Sequence, residues 1–331
     1  MANVILFAGG EDLDFATTSV SVDTTSTDFR AGYARCGLQL PPANGTSPGS
    51  IRAIGAFSSA AFWLSARMRC GSNLGDNQRD LLSLQDAGGV TRLVLQYNSG
   101  SPFAVFQKVN AAGTRTQLGS GFYLPLSPSP STPDKIDLQV TYGVSGSLAI
   151  YVNGALAGSY AGDVTTDGAT LLAGFTLGPL ANAAVSWSEV IVATADTRAL
   201  GLVTLAPAAL GATAQWTGTA ASVSELSLND ADGVSTGTAG KVEEFTTGSL
   251  PSGSFSVLGV VLAARAVTAS GSPQHVDLGL KLGGTDYWSP DQAVGTAYGR
   301  VAYDWETNPA TSAAFTTADL ASVGLALRSV A

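Results

Sequence analysis

The residues able to do chemistry in this 331-residue chain are few and scattered. A serine nucleophile needs a strand-to-helix elbow and a histidine base. Gly45-Thr46-Ser47-Pro48-Gly49 has the elbow's string, but Pro48 stands in a loop with no helical pattern after it, and the single histidine, His275, is far along the chain. Glycoside hydrolysis needs two carboxylates across a groove. Glu11-Asp12-Leu13-Asp14 is the densest acidic run, and after Gly9-Gly10 it reads as a solvated turn, whereas Glu189 is a single acid beside Trp187. Asn229, Asp230 and Asp232, and separately Asp163 and Asp167, offer hard oxygens without completing a calcium loop, so they read as turn-forming residues. Cys36 and Cys70 have no metal-ligand spacing with His275 and are expected as free thiols. Asn44-Gly45-Thr46 fits a glycosylation string that matters only in an exported chain. The expectation is therefore a protein that is no enzyme and needs no cofactor or metal. What remains is Tyr151, Trp187 and Trp63, rings that would stack on a sugar or a partner where their faces are open, with Glu189 beside them.

The elements that must position these residues are strands. Ile136, Leu138, Val140 and Tyr142 alternate with Lys135, Asp137, Gln139 and Thr141, the pattern of a half-buried strand. After Gly143-Val144-Ser145-Gly146 the alternation resumes at Leu148, Ile150 and Val152, and Asn153-Gly154 supplies the two positive-φ positions of a type I′ hairpin. That turn pairs Val152 with Ala155, Tyr151 with Leu156 and Ile150 with Ala157, and it puts Tyr151 on the face away from Ile150 and Val152.

Short strands separated by Gly, Ser, Asn and Pro clusters continue from residue 4 to residue 205, including Ala31–Leu40, Ala61–Arg69, Phe103–Val109, Val185–Ala193 and Leu200–Leu205. Helical periodicity is absent, which implies an all-β jelly-roll sandwich over residues 1–205. The proline-rich stretch 124–133 reads as a surface connection. Small residues with Pro207 and Gly211 mark a boundary at 206–214, and a second, smaller β-sandwich takes residues 206–331. There, Val257–Val267 is apolar in both alternations and is expected as a central buried strand. Thr316 or Thr317 should cap a short turn of helix at 318–321, before a closing strand over Val323–Val330.

Only 12% of the residues are charged, and the net charge is −9. Clustered Lys and Arg for nucleic-acid phosphates are missing, and acidic partners are disfavoured. The longest strongly apolar run, Val257–Ala264, is too short to span a membrane, and the first residues lack the basic region of a secretory signal. A surface this poor in charge is expected to be partly covered by other subunits, so a homo-oligomer is expected.

The strand and turn Ile150-Tyr151-Val152-Asn153-Gly154, with Trp187-Ser188-Glu189-Val190-Ile191-Val192 further on, resembles the concanavalin-A-like, laminin-G-like jelly roll. The resemblance implies two stacked antiparallel sheets, a scaffold shared by lectins, glycan hydrolases and structural modules. The second half resembles a module of tailed-bacteriophage virion proteins. Its signals are Gln215-Trp216-Thr217-Gly218, Asn229-Asp230-Ala231-Asp232, Gly283-Gly284-Thr285-Asp286-Tyr287 and Trp305-Glu306-Thr307-Asn308-Pro309, with Phe315-Thr316-Thr317-Ala318-Asp319-Leu320 after it. That resemblance implies a structural component of the virion, a head decoration or fibre protein that packs as a trimer against other capsid or tail proteins. The alternative is a carbohydrate-binding adhesin that reads host glycans through the jelly roll, with Tyr151, Trp187, Glu189 and Trp63 as the contacts.

Overall fold

The structure, a computed structural model, describes residues 4–25, 27–43, 49–53, 55–71, 78–98, 103–127, 130–253, 255–269 and 273–331. The Gly45–Gly49 and Asn44–Thr46 strings lie outside the described residues, apart from Gly49. The chain forms two compact units, residues 1–202 and 203–331.

The first unit is a sandwich of two antiparallel sheets built from fifteen described strands. In chain order these are β1 (Ile5–Gly9), β2 (Ala16–Thr18), β3 (Ser21–Asp23), β4 (Gly37–Leu40), β5 (Ser50–Ala53), β6 (Ala61–Cys70), β7 (Gln78–Gln85) and β8 (Thr91–Asn98). They continue with β9 (Phe103–Val109), β10 (Arg115–Tyr123), β11 (Asp134–Thr141), β12 (Gly146–Val152), β13 (Ala155–Gly162), β14 (Gly174–Leu177) and β15 (Val185–Ala193). The first sheet runs β13-β12-β11-β6-β15-β4-β3, with β1 also on β15, and the second runs β10-β9-β8-β7-β14-β5-β2. One face of each sheet supplies the core. Phe62, Leu64, Ala66 and Met68 of β6 and Ile136, Leu138 and Val140 of β11 meet Leu82 and Leu84 of β7, Leu93, Leu95 and Tyr97 of β8, and Phe175 of β14. The all-β jelly-roll expectation holds.

Register follows the alternation. Ile136 pairs with Val152 and Leu138 with Ile150, and at the hairpin Asn153 and Gly154 have φ of +50° and +82°. Val152 pairs with Ala155 and Tyr151 with Leu156, but a bulge then sets Ile150 opposite Gly158 rather than Ala157. Gly158 takes that place because a Cβ there would meet the Phe122 ring at 2.3 Å. Ala31–Leu40 is a strand only from Gly37. Its first part is a turn in which the backbone N–H groups of Tyr33 and Ala34 donate to the Arg30 carbonyl and Gly32 has a φ of +81°.

The second unit contains β16 (Pro207–Ala214), β17 (Val242–Thr247), β18 (Val260–Ala266), β19 (His275–Leu282), β20 (Thr285–Trp288), β21 (Gln292–Ala293), β22 (Gly299–Trp305), α1 (Thr317–Leu320) and β23 (Gly324–Val330). One sheet runs β16-β17-β23-β19-β20 with β21 on β19, and β18 and β22 form a two-stranded ribbon. Two expectations fail here. The stretch 206–214 is a strand rather than a linker, tolerated because β16 is an edge strand with Pro207 at its first position. Val257–Val267 is not the centre of a sheet: Val260, Leu262 and Ala264 pack on the core, while Val261 and Ala263 are simply small residues on the ribbon's other side. Trp305, Phe315 and Leu320 are buried together, and the Thr316 side chain caps α1 in a reciprocal pair with Asp319. Among the described residues, no helix is long and apolar enough to cross a membrane.

Candidate functional site

The four residues singled out in the sequence all lie on the first sheet, and most are engaged. Trp187 is 1% exposed and packs in the core, donating its indole N–H to the Gly178 carbonyl at 3.2 Å, so it lines no open face. Its position in the alternation of β15 is inward, as Val185 on the same strand shows. Glu189 occupies a bulge between Ser188 and Ile191, with a φ of +50°, where β15 exchanges β4 for β1 as its neighbour. Its buried carboxylate is held by Arg30, at 2.6 Å and 3.2 Å, and by Arg67 at 3.2 Å. Both of its oxygens already accept from guanidinium groups, and the side chain is buried rather than presented on an open face. Trp63 and Tyr151 do come together, stacked at 5.6 Å between centroids, and the Arg198 guanidinium lies over both rings at 5.3 Å and 4.6 Å.

The rest of this outer face is closed by the chain itself. Lys135, buried on the outward side of β11, donates to the carbonyls of Thr197, Arg198 and Leu200 at 2.5, 3.0 and 2.6 Å. Burial lowers its pKa, only partly opposed by Asp137. Asp137 accepts from the Thr197 hydroxyl at 2.7 Å, and Arg69 pairs with Asp28. The 197–200 segment is therefore a strap whose carbonyls satisfy a buried ammonium, and Leu200–Leu205, expected as a strand, forms none. Ser65, Asp137 and Ser188 each keep one buried side-chain oxygen without a partner beneath it.

The second sheet presents a different outer face, which sequence reasoning did not single out. Registers place Arg52, Thr176, Ser83, Val94, Gln107 and Gln117 directly opposite one another on six adjacent strands, β5, β14, β7, β8, β9 and β10. At about 4.8 Å per strand the row spans about 24 Å. Its middle is low: Ser83 is 8% and Val94 2% exposed, while Arg52, Thr176 and Gln107 are half-buried and Gln117 is exposed. Beside the row, Gln96 faces Val105 and Asp80 faces Gln96, so all three share this side. The polar groups form a connected lattice. Arg115 holds Asp80 with two bonds of 2.7 Å and donates to the Gln107 amide oxygen at 3.4 Å, and the Gln107 amide donates to Gln96 at 3.3 Å. The Asp80 bond raises the Arg115 pKa, so this guanidinium stays charged and paired. At the other side Gln85 donates to the Thr176 hydroxyl at 2.8 Å, and its own amide oxygen, buried, has no partner.

The far end of the face is aromatic. Phe103 and Tyr123 are a cross-strand pair on the same side as Val105, 51% and 58% exposed. Gly121 makes room beneath them, since a Cβ there would stand 3.2 Å from the Phe103 ring and 3.3 Å from Val105. The available signal was the spacing of Gln96, Gln107 and Gln117, polar positions one strand and one turn apart in a run of otherwise apolar alternation. Such a surface offers neutral donors and acceptors, one locked ion pair and two open rings. Among the described residues no group of three His, Cys, Asp or Glu side chains is placed to hold a metal. Cys36 and Cys70 are buried, their thiols donating to the Gly10 and Ser127 carbonyls, and burial pushes the Cys36 thiol up to about 12.

No family model matches the chain, and no curated protein matches it. Solved structures do. An endo-β-1,4-glucuronan lyase from the fungus Trichoderma reesei is 14% identical, over 58% of this chain and 94% of that one, with a TM-score of 0.42. The receptor-binding domain of botulinum neurotoxin type G is 10% identical over 55% and 43%, with a TM-score of 0.33. A carbohydrate-binding module from Bacillus subtilis is 12% identical over 54% and 94%, with a TM-score of 0.34. At these identities and scores the likenesses bear on neither ligand nor reaction, and the jelly-roll sandwich stands on its own sheet topology.

Proposed function

We propose that this protein is a non-catalytic glycan-binding module that reads its ligand on the outer face of the second sheet. The observation that supports it is the continuity of the Phe103–Tyr123 pair with the Gln96, Gln107 and Gln117 amides on one open sheet face. Sugar rings carry an apolar face of C–H groups and a rim of hydroxyls. Exposed aromatic rings accept the first, and side-chain amides, which both donate and accept, pair with the second. The expected sugar contacts accordingly move from Tyr151 and Trp63, which lie under Arg198, to Phe103 and Tyr123. A glycan array followed by calorimetric titration of hits tests this: Tyr123→Ala and Phe103→Ala should each weaken binding with the fold intact. Retention of full affinity in both variants would sink the proposal.

A second reading, a virion structural component acting by oligomeric packing, draws support from the β18–β22 ribbon. Among the described residues it has only two strands, so no third strand lies along its outer edges, and edges of that kind are pairing surfaces. Light scattering gives its test: a monomer at micromolar concentration argues against packing through that ribbon.

A further inference from the structure

Within the sandwich, the described lysine and arginine side chains engage a carboxylate or a main-chain carbonyl, with a single exception. Glu189 takes Arg30 and Arg67, Glu11 takes Arg35, Asp28 takes Arg69, and Asp86 and Asp167 take Arg92. Asp80, Asp163 and Asp196 hold Arg115, Lys108 and Arg198, while Arg79 and Lys135 donate to carbonyls. Arg52 is the exception, with neither kind of partner among the described residues. It stands at one end of the six-strand row, directly opposite Thr176, which is directly opposite Ser83. The core side of these strands is fixed by Ile51, Ala53, Phe175 and Leu177, so Arg52 and Thr176 face outward.

We infer that Arg52, Thr176 and Ser83 form a subsite for the carboxylate of an acidic sugar, an inference that rests on the glycan-binding reading. Three donors in line on adjacent strands match what a carboxylate accepts: a planar fork of guanidinium N–H groups flanked by hydroxyl groups. The Thr176 hydroxyl already accepts from Gln85, so its proton is directed elsewhere, and the buried Gln85 oxygen beside it lacks a donor that a ligand hydroxyl would supply. No residue of the row is a carboxylate. Asp80, an acid on the same face, is locked to Arg115. The chain's net charge of −9 opposes an anionic ligand only at long range, where salt screens it within about 10 Å at 0.1 M. At the row itself the local charge is positive.

The experiment is calorimetric titration of the full chain with three probes: an oligo-uronate, the same oligomer with its carboxyl groups reduced to alcohols, and a sulfated neutral oligomer. Wild type should bind the oligo-uronate at least about tenfold tighter than the reduced form, the effect expected for one charge-assisted pair. Arg52→Gln should remove that preference while leaving the affinity for the reduced oligomer unchanged, which also shows that the variant folds. Arg52→Lys, charged but without the fork, should fall between. Equal affinity of wild type for acidic and reduced oligomers overturns the subsite and leaves the glycan-binding reading standing, as does an Arg52→Gln variant that keeps the preference. A sulfated oligomer bound as tightly as the uronate overturns the carboxylate assignment. Failure to bind any of the three overturns both.

Discussion

The two sheets of the sandwich bury similar apolar faces against each other and treat their outer faces in opposite ways. On the first sheet, outward side chains are charged and hidden: Asp137, Lys135 and Glu189 are at most 8% exposed, held by the 197–200 strap and by Arg30 and Arg67. On the second, outward side chains are mostly neutral amides and hydroxyls, with two exposed aromatic rings at one end. A buried charge must find a partner to be tolerated, which ties the first face to its own strap and guanidinium groups. An exposed amide costs little to hold and little to release, which leaves the second face able to exchange water for a ligand. Paired charge marks structure on the first face, whereas the second face is mostly neutral, with Arg52 at one end of its row.

The contrast breaks most visibly at Glu189. Glu189→Ala leaves two partly buried guanidinium groups without their carboxylate and relaxes a bulge built around a positive φ. It should cost about 3–5 kcal/mol in denaturant unfolding, while glycan affinity of the folded fraction stays unchanged. A loss of less than about 1 kcal/mol would mean that the first face is not held by this pair.

Glu11, just after β1 of the same sheet, sharpens the comparison through pH. Burial raises its pKa from 4.5 to about 7, against the pull of Arg35. Between those values the folded state keeps a proton that the unfolded state has released, so the Glu11 contribution to stability is fully present below pH 4.5 and falls as pH rises towards 7. The change is about 3 kcal/mol at most. Denaturation midpoints measured from pH 4.5 to 7.5 should show the decline in wild type and lose it in Glu11→Gln.

The same contrast explains what the sequence disclosed. Strict alternation and Asn153-Gly154 made the fold and most of the first sheet legible, because a half-buried strand must write its period into its residues. The bulge at Gly158 was invisible, since it depends on Phe122 from the neighbouring sheet. Trp187 and Glu189 drew notice as chemistry-bearing types, yet periodicity alone does not say which face is capped by a later segment, and here that segment is 197–200. The set of Gln96, Gln107 and Gln117 amides on one face went unnoticed because no single strand carries it. It exists only once three strands are set side by side.

On the second face, Tyr123→Ala should weaken glycan binding about tenfold and leave stability within about 0.5 kcal/mol, because a ring 58% exposed contributes little to packing. Titration and a melt on the same sample separate the two effects.

The smallest expected effect is the most discriminating. Trp187→Ala is no test of binding, since removing a core indole costs about 3–5 kcal/mol and any lost affinity would report unfolding. Tyr151→Ala is clean: the ring is half-buried, and its contacts are the Trp63 stack and the Arg198 guanidinium. It should cost about 1 kcal/mol and leave glycan affinity unaltered, because the strap already occupies the face that Tyr151 shares. If Tyr151→Ala instead abolishes binding while Tyr123→Ala does not, the strap must lift in solution. The ligand would then lie on the first sheet, in the place where Arg198 and the carbonyls of 197–200 now sit, and the roles of the two faces would be exchanged.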